Sequence, residues 1–312
     1  MINLENLDSA VHERARGGYL AIGNFDGVHL GHAHLLGRLR AQAEAEGVAA
    51  VALTFDPHPV ALLRPEFAPT PLNWTERNVE LLKRAGATDV GIFRTGDWLL
   101  KLSARDFFRG VVLDQFAAKG MVEGSNFGFG RDREGTADLL RELCRNAGLS
   151  LEVVPPIEVE GQAVSSSRIR KLLNEGDAES AALLLGRPHR LRGVVTHGAG
   201  RGAGLGFPTA NLDEIDTLIP LDGVYAVRAH VEGLATAYPA ACHIGPNVSF
   251  GEQIRKVEVH LIDFTGDLYG RRIEIDLLKC LRAIRKFAGI DDLLAQIGRD
   301  VESARNIAAA DR

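Results

Sequence analysis

Short apolar runs alternate with helical patterns through the first half of the chain, and this alternation constrains the fold more than any other feature. Helical patterns lie between the runs: residues 33–46, with Leu35, Leu36 and Leu39 on one side, residues 76–85, and a third helix opened by Ser103 with Asp106 three residues later. The strand-sized runs cover residues 18–22, 48–55, 89–93, 120–123 and 149–154. Repeated strand–helix units predict a doubly wound parallel sheet, because parallel strands need crossover connections. Ligands of such sheets bind beyond the carboxyl ends of the strands.

The pattern changes after a last helical stretch at residues 168–185, which precedes the hinge-like Gly186-Arg187-Pro188. Alternating apolar and polar residues then predict strands at 191–196, 223–231, 236–245, 256–264 and 272–280. No crossover-length helix separates these strands, so we expect a small antiparallel β-barrel with a terminal helix, about residues 290–309, packed on it. A chain of 312 residues suits two domains, which we place at 1–186 and 187–312.

The composition excludes several classes of protein. Hydrophobic residues make up 46% and charged residues 25%, as in ordinary globular proteins. The 36 basic and 41 acidic residues give a net charge of −5 without a basic run, which argues against a nucleic-acid partner. No apolar run reaches the ~18–20 residues of a membrane span, and residues 1–14 lack the basic and apolar regions of a secretory signal. We therefore expect a cytoplasmic protein without a membrane partner, and the sequence leaves its oligomeric state open.

Cysteine usage is typical of a reducing compartment. Cys144, Cys242 and Cys280 are far apart and form no Cys-x-x-Cys motif, which argues against a zinc ribbon and against a disulfide framework. We expect these cysteines to be small buried side chains.

The densest motif of the first half reads Gly23-Asn24-Phe25-Asp26-Gly27-Val28-His29-Leu30-Gly31-His32. It leaves a predicted strand, turns through two glycines and enters a helix, whose first N–H groups can meet an anion. His29 and His32 share a helix face, so both imidazoles could contact nucleotide phosphates. Nucleotidyl transfer needs such positioning and charge neutralisation rather than covalent help. The pair also fits two surface histidines, but the strand–turn–helix context favours a phosphate site.

A second anion-binding pattern is Ser165-Ser166-Ser167-Arg168-Ile169-Arg170. Hydroxyls and free N–H groups at a helix start, together with the guanidinium of Arg168 or Arg170, can form a cradle for phosphate. The same residues fit an ordinary serine-capped helix with two solvated arginines equally well.

A glycine-rich loop at residues 197–211 dominates the start of the second half. Gly202, Gly204 and Gly206 make it pliable, so it could wrap phosphates or form a floppy hairpin. It is not a P-loop, because the chain contains no Gly-Lys dipeptide, and it does not satisfy Gly-x-Gly-x-x-Gly.

The strand at 256–264 carries two polar side chains on one face. Alternation places Glu258 and His260 opposite the apolar face. By itself this pattern fits a solvated barrel face.

Together these motifs resemble the bacterial bifunctional riboflavin kinase/FAD synthetase family over nearly the whole chain. His29-Leu30-Gly31-His32 is similar to the His-x-Gly-His signature of nucleotidyltransferases, and Thr54-Phe55-Asp56-Pro57-His58-Pro59 is similar to the family's second-strand motif. Residues 164–170 resemble the Ser-Ser-Thr-x-Ile-Arg motif that closes over ATP phosphates. Gly124-Ser125-Asn126-Phe127-Gly128-Phe129-Gly130 takes the place of the flavin-side loop, and Pro208-Thr209-Ala210-Asn211 resembles the riboflavin kinase signature.

The resemblance implies two reactions of ATP: phosphorylation of riboflavin to FMN, then adenylylation of FMN to FAD with release of pyrophosphate. It implies Mg²⁺ as cofactor, ATP as co-substrate, and small-molecule partners only, namely riboflavin, FMN, FAD and ATP. Glu258 matches the family's catalytic base for the kinase. His29, His32 and Arg168 match the catalytic positions of the adenylyltransferase.

The resemblance also implies binding residues. It implies that Thr209 and Asn211 bind Mg²⁺ and the nucleotide phosphates of the kinase. Their hydroxyl and amide oxygens are hard ligands that suit this ion. The implied flavin contacts are Asn126, Phe127, Arg282 and Phe287. The implied ATP and phosphate contacts are Gly23, Asn24, Phe25, Asp26, Gly27, Ser165, Ser166, Ser167, Arg170, Gly202, Gly204 and Gly206.

The chain departs from the family pattern at several positions. The family usually has Arg or Lys near Ala203, Pro-Thr at Val248-Ser249 and Thr at Ser167, and often has Arg at Gly128 and Glu at Ile284. The proposed catalytic residues are all present, so we expect an active enzyme in which the departures affect substrate affinity. Two alternatives remain open: an enzyme that keeps one of the two activities, and a non-catalytic flavin-binding regulatory protein of the same fold.

Overall fold

The protein divides into two compact units. The computed structural model describes residues 13–198 and 200–310. Residues 13–70 and 74–165 form the first unit, and residues 71–73, 166–198 and 200–310 form the second. Each unit has its own hydrophobic core.

The first unit is built on a five-stranded parallel sheet, as the alternating sequence pattern predicts. The strand order is β3-β2-β1-β4-β5, and every neighbouring pair is parallel. The strands are β1 (Tyr19–Ile22), β2 (Ala50–Asp56), β3 (Asp89–Arg94), β4 (Gly120–Gly124) and β5 (Ser150–Val154). The order reverses direction between β1 and β4, which is where a doubly wound sheet opens a crevice for ligands.

Helices cover both faces of this sheet. Leu36 and Leu39 pack on one face with Ala21, while Phe116 and Met121 belong to the core on the other face. The helices are α1 (Leu30–Glu46), α2 (Pro59–Leu63), α3 (Thr75–Ala85), α4 (Asp97–Leu100), α5 (Ala104–Phe107) and α6 (Ala137–Ala147), with a π-helical turn at Phe108–Gln115, 3₁₀ turns at Pro65–Phe67 and Arg131–Arg133, and a hairpin of β6 (Glu158–Val159) and β7 (Gln162–Ala163).

The second unit is a closed antiparallel barrel, which confirms the fold predicted for the second half. Its strand order is β10-β11-β12-β9-β8-β13. The strands are β8 (His189–Thr196), β9 (Ala210–Asp213), β10 (Gly223–Val231), β11 (Ala237–Gly245), β12 (Lys256–Leu261) and β13 (Arg272–Arg282). The helices of this unit are α7 (Ser166–Asn174), α8 (Ala178–Leu185), α9 (Arg201–Gly204) and α10 (Ile290–Ala310), and a 3₁₀ turn spans Val248–Phe250. The terminal helix α10 packs on the barrel through Ala304, which forms a small buried cluster with Ala226 and Ile262.

Two local predictions need correction. The stretch 168–185 is two helices, because Gly176 adopts φ 81 and breaks the pattern between α7 and α8. The short strand β9 was missed, since its four residues carry too little alternation to be recognised.

The compact units divide at Ser165/Ser166, ahead of the boundary predicted after residue 186. The physical reason is that α8 contacts the barrel, where buried Ala178 joins the core of the second unit. Residue 186 as the limit of the first functional module stays a prediction.

Two features of the structure bear on the expectations drawn from composition: how far the cysteines are buried and how long and apolar the helices are. Cys144 and Cys242 are buried and Cys280 is half-buried, and all three thiols are free. Across residues 13–198 and 200–310, no helix combines the length and the apolar character that crossing a membrane requires.

A buried ion cluster joins three strands of the barrel. Arg190 on β8 holds Asp276 on β13 with two hydrogen bonds, Nε to Oδ1 at 2.6 Å and Nη2 to Oδ2 at 2.7 Å. His230 Nε2 lies 2.9 Å from the same Oδ2. Burial alone would raise the pKa of Asp276, but the bonds from His230 and Arg190 outweigh it and lower the pKa from 3.8 to about 2.

The cluster makes barrel stability depend on pH. A carboxyl whose pKa falls on folding stabilises the native state above its unfolded pKa, by roughly 2 kcal/mol for a shift of this size. We expect Asp276→Asn to lower the free energy of unfolding at pH 7 by about 2 kcal/mol, since Arg190 loses one carboxylate partner and keeps only Glu274, whose Oε2 lies 2.8 Å from its Nη1. The difference in the free energy of unfolding between Asp276→Asn and the unmodified protein should become smaller as the pH falls from about 4 towards 2.

Urea unfolding of both proteins at pH 7 and pH 3 measures this difference. Asp216→Asn is the matched control, because Asp216 forms an exposed ion pair with Arg192 on the same strand as Arg190. Exposed pairs contribute at most about 1 kcal/mol. Equal losses in the two variants would contradict the assigned role of the buried cluster.

Candidate active sites

The first candidate site is the loop that follows β1, at the reversal of strand order. Gly23 N–H donates to Leu53 O at 3.0 Å, and the buried Thr54 Oγ1 donates to Asn24 O at 3.1 Å. These two bonds attach the loop to the end of β2. Phe25 adopts φ 45 although it has a side chain, so the buried surroundings hold its backbone in a costly conformation. The conformation of the loop is therefore fixed by its contacts with the sheet.

His29 and His32 form one stacked unit at the start of α1. His29 is the N-cap, and its Nδ1 accepts the backbone N–H of His32 at 3.3 Å. The two rings stack with centroids 3.7 Å apart and an angle of 17° between their planes. Phe25 meets the His32 ring edge-on at 5.3 Å. The structure thus brings together the two imidazoles that the sequence singled out.

The absence of a side chain at Gly31 makes room for the His29 ring. A Cβ atom at position 31 would lie 3.2 Å from both Cε1 and Nδ1 of His29, which is closer than ordinary packing. Gly31→Ala should therefore displace the ring by a few tenths of an ångström. Since small misplacements of reacting groups are expensive, we expect about a tenfold loss in kcat for the adenylyl transfer that the resemblance implies.

Steady-state kinetics with FMN and ATP measure this effect. Gly37→Ala is the control, because a Cβ atom at Gly37 of the same helix meets nothing within 4 Å. Equal kcat values for the two variants would mean that the His29 ring position does not matter.

The loop after β4 supplies an aromatic stack and a cation. Phe127 and Phe129 stack with centroids 5.2 Å apart and an angle of 15° between their rings. The Arg133 guanidinium lies over Gly128, where a Cβ atom would meet its Nη2 at 2.9 Å. Arg133 Nη2 also donates to Asn126 O at 3.4 Å. A cation thus lies beside the position at which the family often carries arginine, and sequence reasoning did not single out Arg133.

Glu123 is a buried acid between the ends of β1 and β4. Its side chain is 2% exposed, and Oε1 accepts the backbone N–H of Ile22 at 2.8 Å. Burial raises the pKa of Glu123 well above its usual value, against a smaller lowering by the Ile22 N–H. The group is therefore favoured as the neutral acid. Nothing in the local pattern of this apolar strand pointed to it.

The serine- and arginine-rich segment is divided between the two units. Ser165 ends the first unit, whereas Ser166, Ser167, Arg168 and Arg170 begin α7 in the second. Their action on the phosphates beside His29 stays a prediction. In the second-strand motif, His58 Nδ1 accepts the N–H of Val60 at 3.1 Å and caps α2.

The second candidate site is a pocket of about 260 Å³ in the barrel unit. Its lining includes five residues that the resemblance assigned to the kinase: Thr209, Asn211, Glu258, Arg282 and Phe287. They come from β9 and the loop before it, from β12, and from β13 and the loop after it. Folding therefore collects residues that are up to 78 positions apart in the sequence, between 209 and 287.

Strand register places the polar groups of the pocket beside one another. Glu258 on β12 lies opposite Asn211 on β9 and opposite His243 on β11. The ring nitrogen Nδ1 of His260 lies 2.7 Å from Pro208 O and donates its proton to that carbonyl. This bond fastens the turn before Asn211 to β12.

The glycine-rich loop contributes its first part to the pocket. Gly202 lines the cavity together with Gly198 and Gly200. Gly204 and Gly206 are not among the lining residues of the described chain. The loop also contains the helical turn α9. After this turn, the N–H groups of Leu205 and Phe207 donate to Gly202 O at 3.1 and 2.9 Å. The role of the loop in wrapping phosphates stays a prediction.

Arg282 and Phe287 form another part of the pocket wall. Arg282 Nε and Nη2 both donate to Asp300 Oδ2 on α10, at 2.9 and 2.8 Å, and Asp300 is 6% exposed. The guanidinium carbons of Arg282 and Arg285 lie 5.5 and 4.8 Å from the centre of the Phe287 ring. Arg285 and Asp300 were not anticipated from the sequence, because their roles depend on where α10 packs.

The fold and these two sites define a class of protein with a nucleotidyltransferase-type α/β unit and a barrel kinase unit. Family models agree: one described as FAD synthetase matches residues 11–168, and one described as riboflavin kinase matches residues 185–308.

Relatives extend this agreement to the whole chain. The bifunctional riboflavin kinase/FMN adenylyltransferase of Pseudomonas fluorescens is 37% identical, over 94% of this chain and 94% of that protein. The protein of the same description from Escherichia coli K12 is 34% identical, over 97% and 95%. The chain belongs to the bifunctional riboflavin kinase/FMN adenylyltransferase family, which confirms the resemblance drawn from the motifs.

A solved structure shows the same fold over nearly all of the chain. It is described as a macrolide-efflux protein from Streptococcus pneumoniae, with a TM-score of 0.86, 30% identity and coverage of 98% of both chains. The efflux description belongs to that protein.

Proposed function

We propose that the barrel pocket phosphorylates riboflavin with ATP and that the α/β unit adenylylates the resulting FMN with a second ATP. Membership of the family supports both activities. The observation that carries the assignment of the kinase site is the single cavity that Thr209, Asn211 and Glu258 share with Arg282 and Phe287.

In the kinase step Glu258 acts as general base. Its carboxylate takes the proton from the ribityl hydroxyl of riboflavin while that oxygen bonds to the γ-phosphorus of ATP. The bond from the γ-phosphorus to the β–γ bridging oxygen breaks, and ADP leaves. Gly198, Gly200 and Gly202 allow close backbone approach to the nucleotide phosphates. Phe287 offers a flat apolar face to the flavin ring, and the bond to Asp300 fixes the Arg282 guanidinium beside it.

The donor set of the pocket fits Mg²⁺. Thr209 and Asn211 supply a hydroxyl and an amide oxygen, and Glu258 places a carboxylate opposite Asn211. Hard oxygen donors in small number suit this ion, which retains water and binds substrate phosphates. When bound, Mg²⁺ would neutralise charge on the phosphates of ATP.

In the adenylyltransferase step the protein positions two phosphate groups. A phosphate oxygen of FMN bonds to the α-phosphorus of ATP, the bond to the bridging oxygen breaks, and pyrophosphate leaves. His29 and His32 donate hydrogen bonds to the α-phosphate as negative charge develops. Residues 23–27 shape the loop around the nucleotide, and Asn126 and Phe127 contact the flavin.

The remaining phosphate contacts come from the segment at residues 165–170. Ser165, Ser166 and Ser167 contact the phosphates through hydroxyl and N–H groups, and Arg168 and Arg170 add positive charge. We also propose that residues 1–186 and 187–312 are the two functional modules and that the protein is cytoplasmic.

Incubation of the purified chain with riboflavin, ATP and Mg²⁺, followed by chromatography of the flavins, tests the proposal. Successive FMN and FAD peaks are expected. FMN alone would reject the adenylyltransferase assignment. Riboflavin that stays bound and unconverted would favour a non-catalytic flavin-binding protein.

A further inference from the structure

Among the described residues, one side chain donates directly to the Glu258 carboxylate. Asn247 Nδ2–H donates to Glu258 Oε2 at 2.9 Å. Asn247 lies in the loop after β11, at the position just before the 3₁₀ turn Val248–Phe250, and its carbonyl accepts the N–H of Glu252 at 3.3 Å. The amide therefore approaches Glu258 from a structured loop, and the loop includes Val248 and Ser249, where the sequence departs from the family pattern.

The other polar neighbours of Glu258 are engaged elsewhere or point no donor at it. His260 Nδ1 bonds to Pro208 O, and Lys256 Nζ bonds to Glu252 at 2.6 Å. His243 Nε2 is buried and makes no hydrogen bond within the described residues. Burial lowers the pKa of His243 despite the nearby charge of Glu258, so the ring is favoured as neutral. The orientation of the carboxylate therefore rests on the Asn247 amide.

A bond to one carboxylate oxygen selects the other for chemistry. The glutamate side chain has three rotatable torsions, and a donor at Oε2 restricts them. Glu258 Oε1 makes no hydrogen bond to any residue among 13–198 and 200–310, and both Glu258 and Asn247 line the pocket. Oε1 is thus the oxygen that can accept a substrate proton, and Asn247 contributes by fixing its position before substrate binds.

We propose that Asn247 is a positioning residue for phosphoryl transfer, which holds Oε2 of Glu258 so that Oε1 meets the riboflavin hydroxyl. This inference rests on the proposed role of Glu258 as the base. A residue that orients a base without gripping substrate changes kcat and leaves KM in place.

Kinetics of riboflavin phosphorylation by the full chain test the inference. A hydrogen bond to a charged group is worth enough to change a rate between about tenfold and a hundredfold, so we expect Asn247→Ala to lower kcat by that factor. KM for riboflavin and for ATP should stay unchanged. Asn247→Asp, which is nearly isosteric but cannot donate when ionised, should lose at least as much. Asn247→Gln keeps the amide donor and should recover part of kcat.

Gln253→Ala is the matched control, because it removes an exposed amide from the same loop. A second control combines Asn247→Ala with Glu258→Gln. If Asn247 acts through the base, the double variant should be no slower than Glu258→Gln alone.

The outcomes separate the two proposals. Full kinase activity in Glu258→Gln would reject the base itself and therefore the proposed function of Glu258. A defective Glu258→Gln together with wild-type kcat in Asn247→Ala and Asn247→Asp would overturn only the positioning role. A raised KM with unchanged kcat, or additive losses in the double variant, would also overturn it.

Discussion

Glu258→Gln is expected to lower kcat for riboflavin phosphorylation by about 10²–10⁴-fold, the usual contribution of a general base. The glutamine keeps the size of the side chain and its place opposite Asn211 and His243, but it cannot take the hydroxyl proton. FAD formation from FMN and ATP should continue at its normal rate, because that reaction is assigned to the other unit. Product analysis from riboflavin and from FMN, on the same preparation, measures both rates.

Glu302→Gln is the control for this substitution, since Glu302 is an exposed acid on α10 of the same unit. It should leave both rates unchanged. A kinase that stays active in Glu258→Gln would require another base, and the pocket lining offers Glu252 as the next carboxylate to replace.

His32→Ala should give the opposite result. We expect FAD formation from FMN to fall by about 10²–10³-fold, the loss that follows removal of one donor to a developing negative charge. The substitution also removes the ring on which His29 stacks at 3.7 Å, so the remaining imidazole becomes less well fixed. Phosphorylation of riboflavin should be retained, because the barrel pocket is untouched.

His34→Ala provides the matched comparison, because His34 is an exposed histidine two residues later on the same helix. Loss of adenylyltransferase activity in both variants would point to helix stability rather than to the stacked pair. Equal loss of both activities in a folded His32→Ala protein would mean that the two reactions are not assigned to separate sites.

The sequence predicted most of the fold because its signals are local. Alternation with period two marks the barrel strands, and β10 begins and ends at the predicted residues 223 and 231. Apolar runs bounded by helical patterns mark the parallel sheet. Predictions failed where one or a few residues determine the local secondary structure. Gly176, for example, divides one helical pattern into α7 and α8. The strand β9 has only four residues, and its pairing with β8 and β12 forms it.

The motif residues of the candidate sites were also recognisable, since their chemistry lies in short segments. His29 and His32 are three positions apart, so a helix start is enough to bring them together. Thr209 and Asn211 are similarly close. The resemblance connected the chain to two reactions, and its family membership confirmed that connection, whereas the roles of the individual motif residues stay predictions.

Only the tertiary structure decided which distant groups support these residues. The Asn247–Glu258 bond, the Arg282–Asp300 pair and the Glu123 carboxyl on Ile22 N–H join residues separated by 11, 18 and 101 positions. Each depends on strand register or helix packing, which no short window of sequence contains. Period and motif, which act over neighbouring residues, predicted most of the elements and the candidate reacting groups. Register and packing, which act between elements, decided how those groups are held.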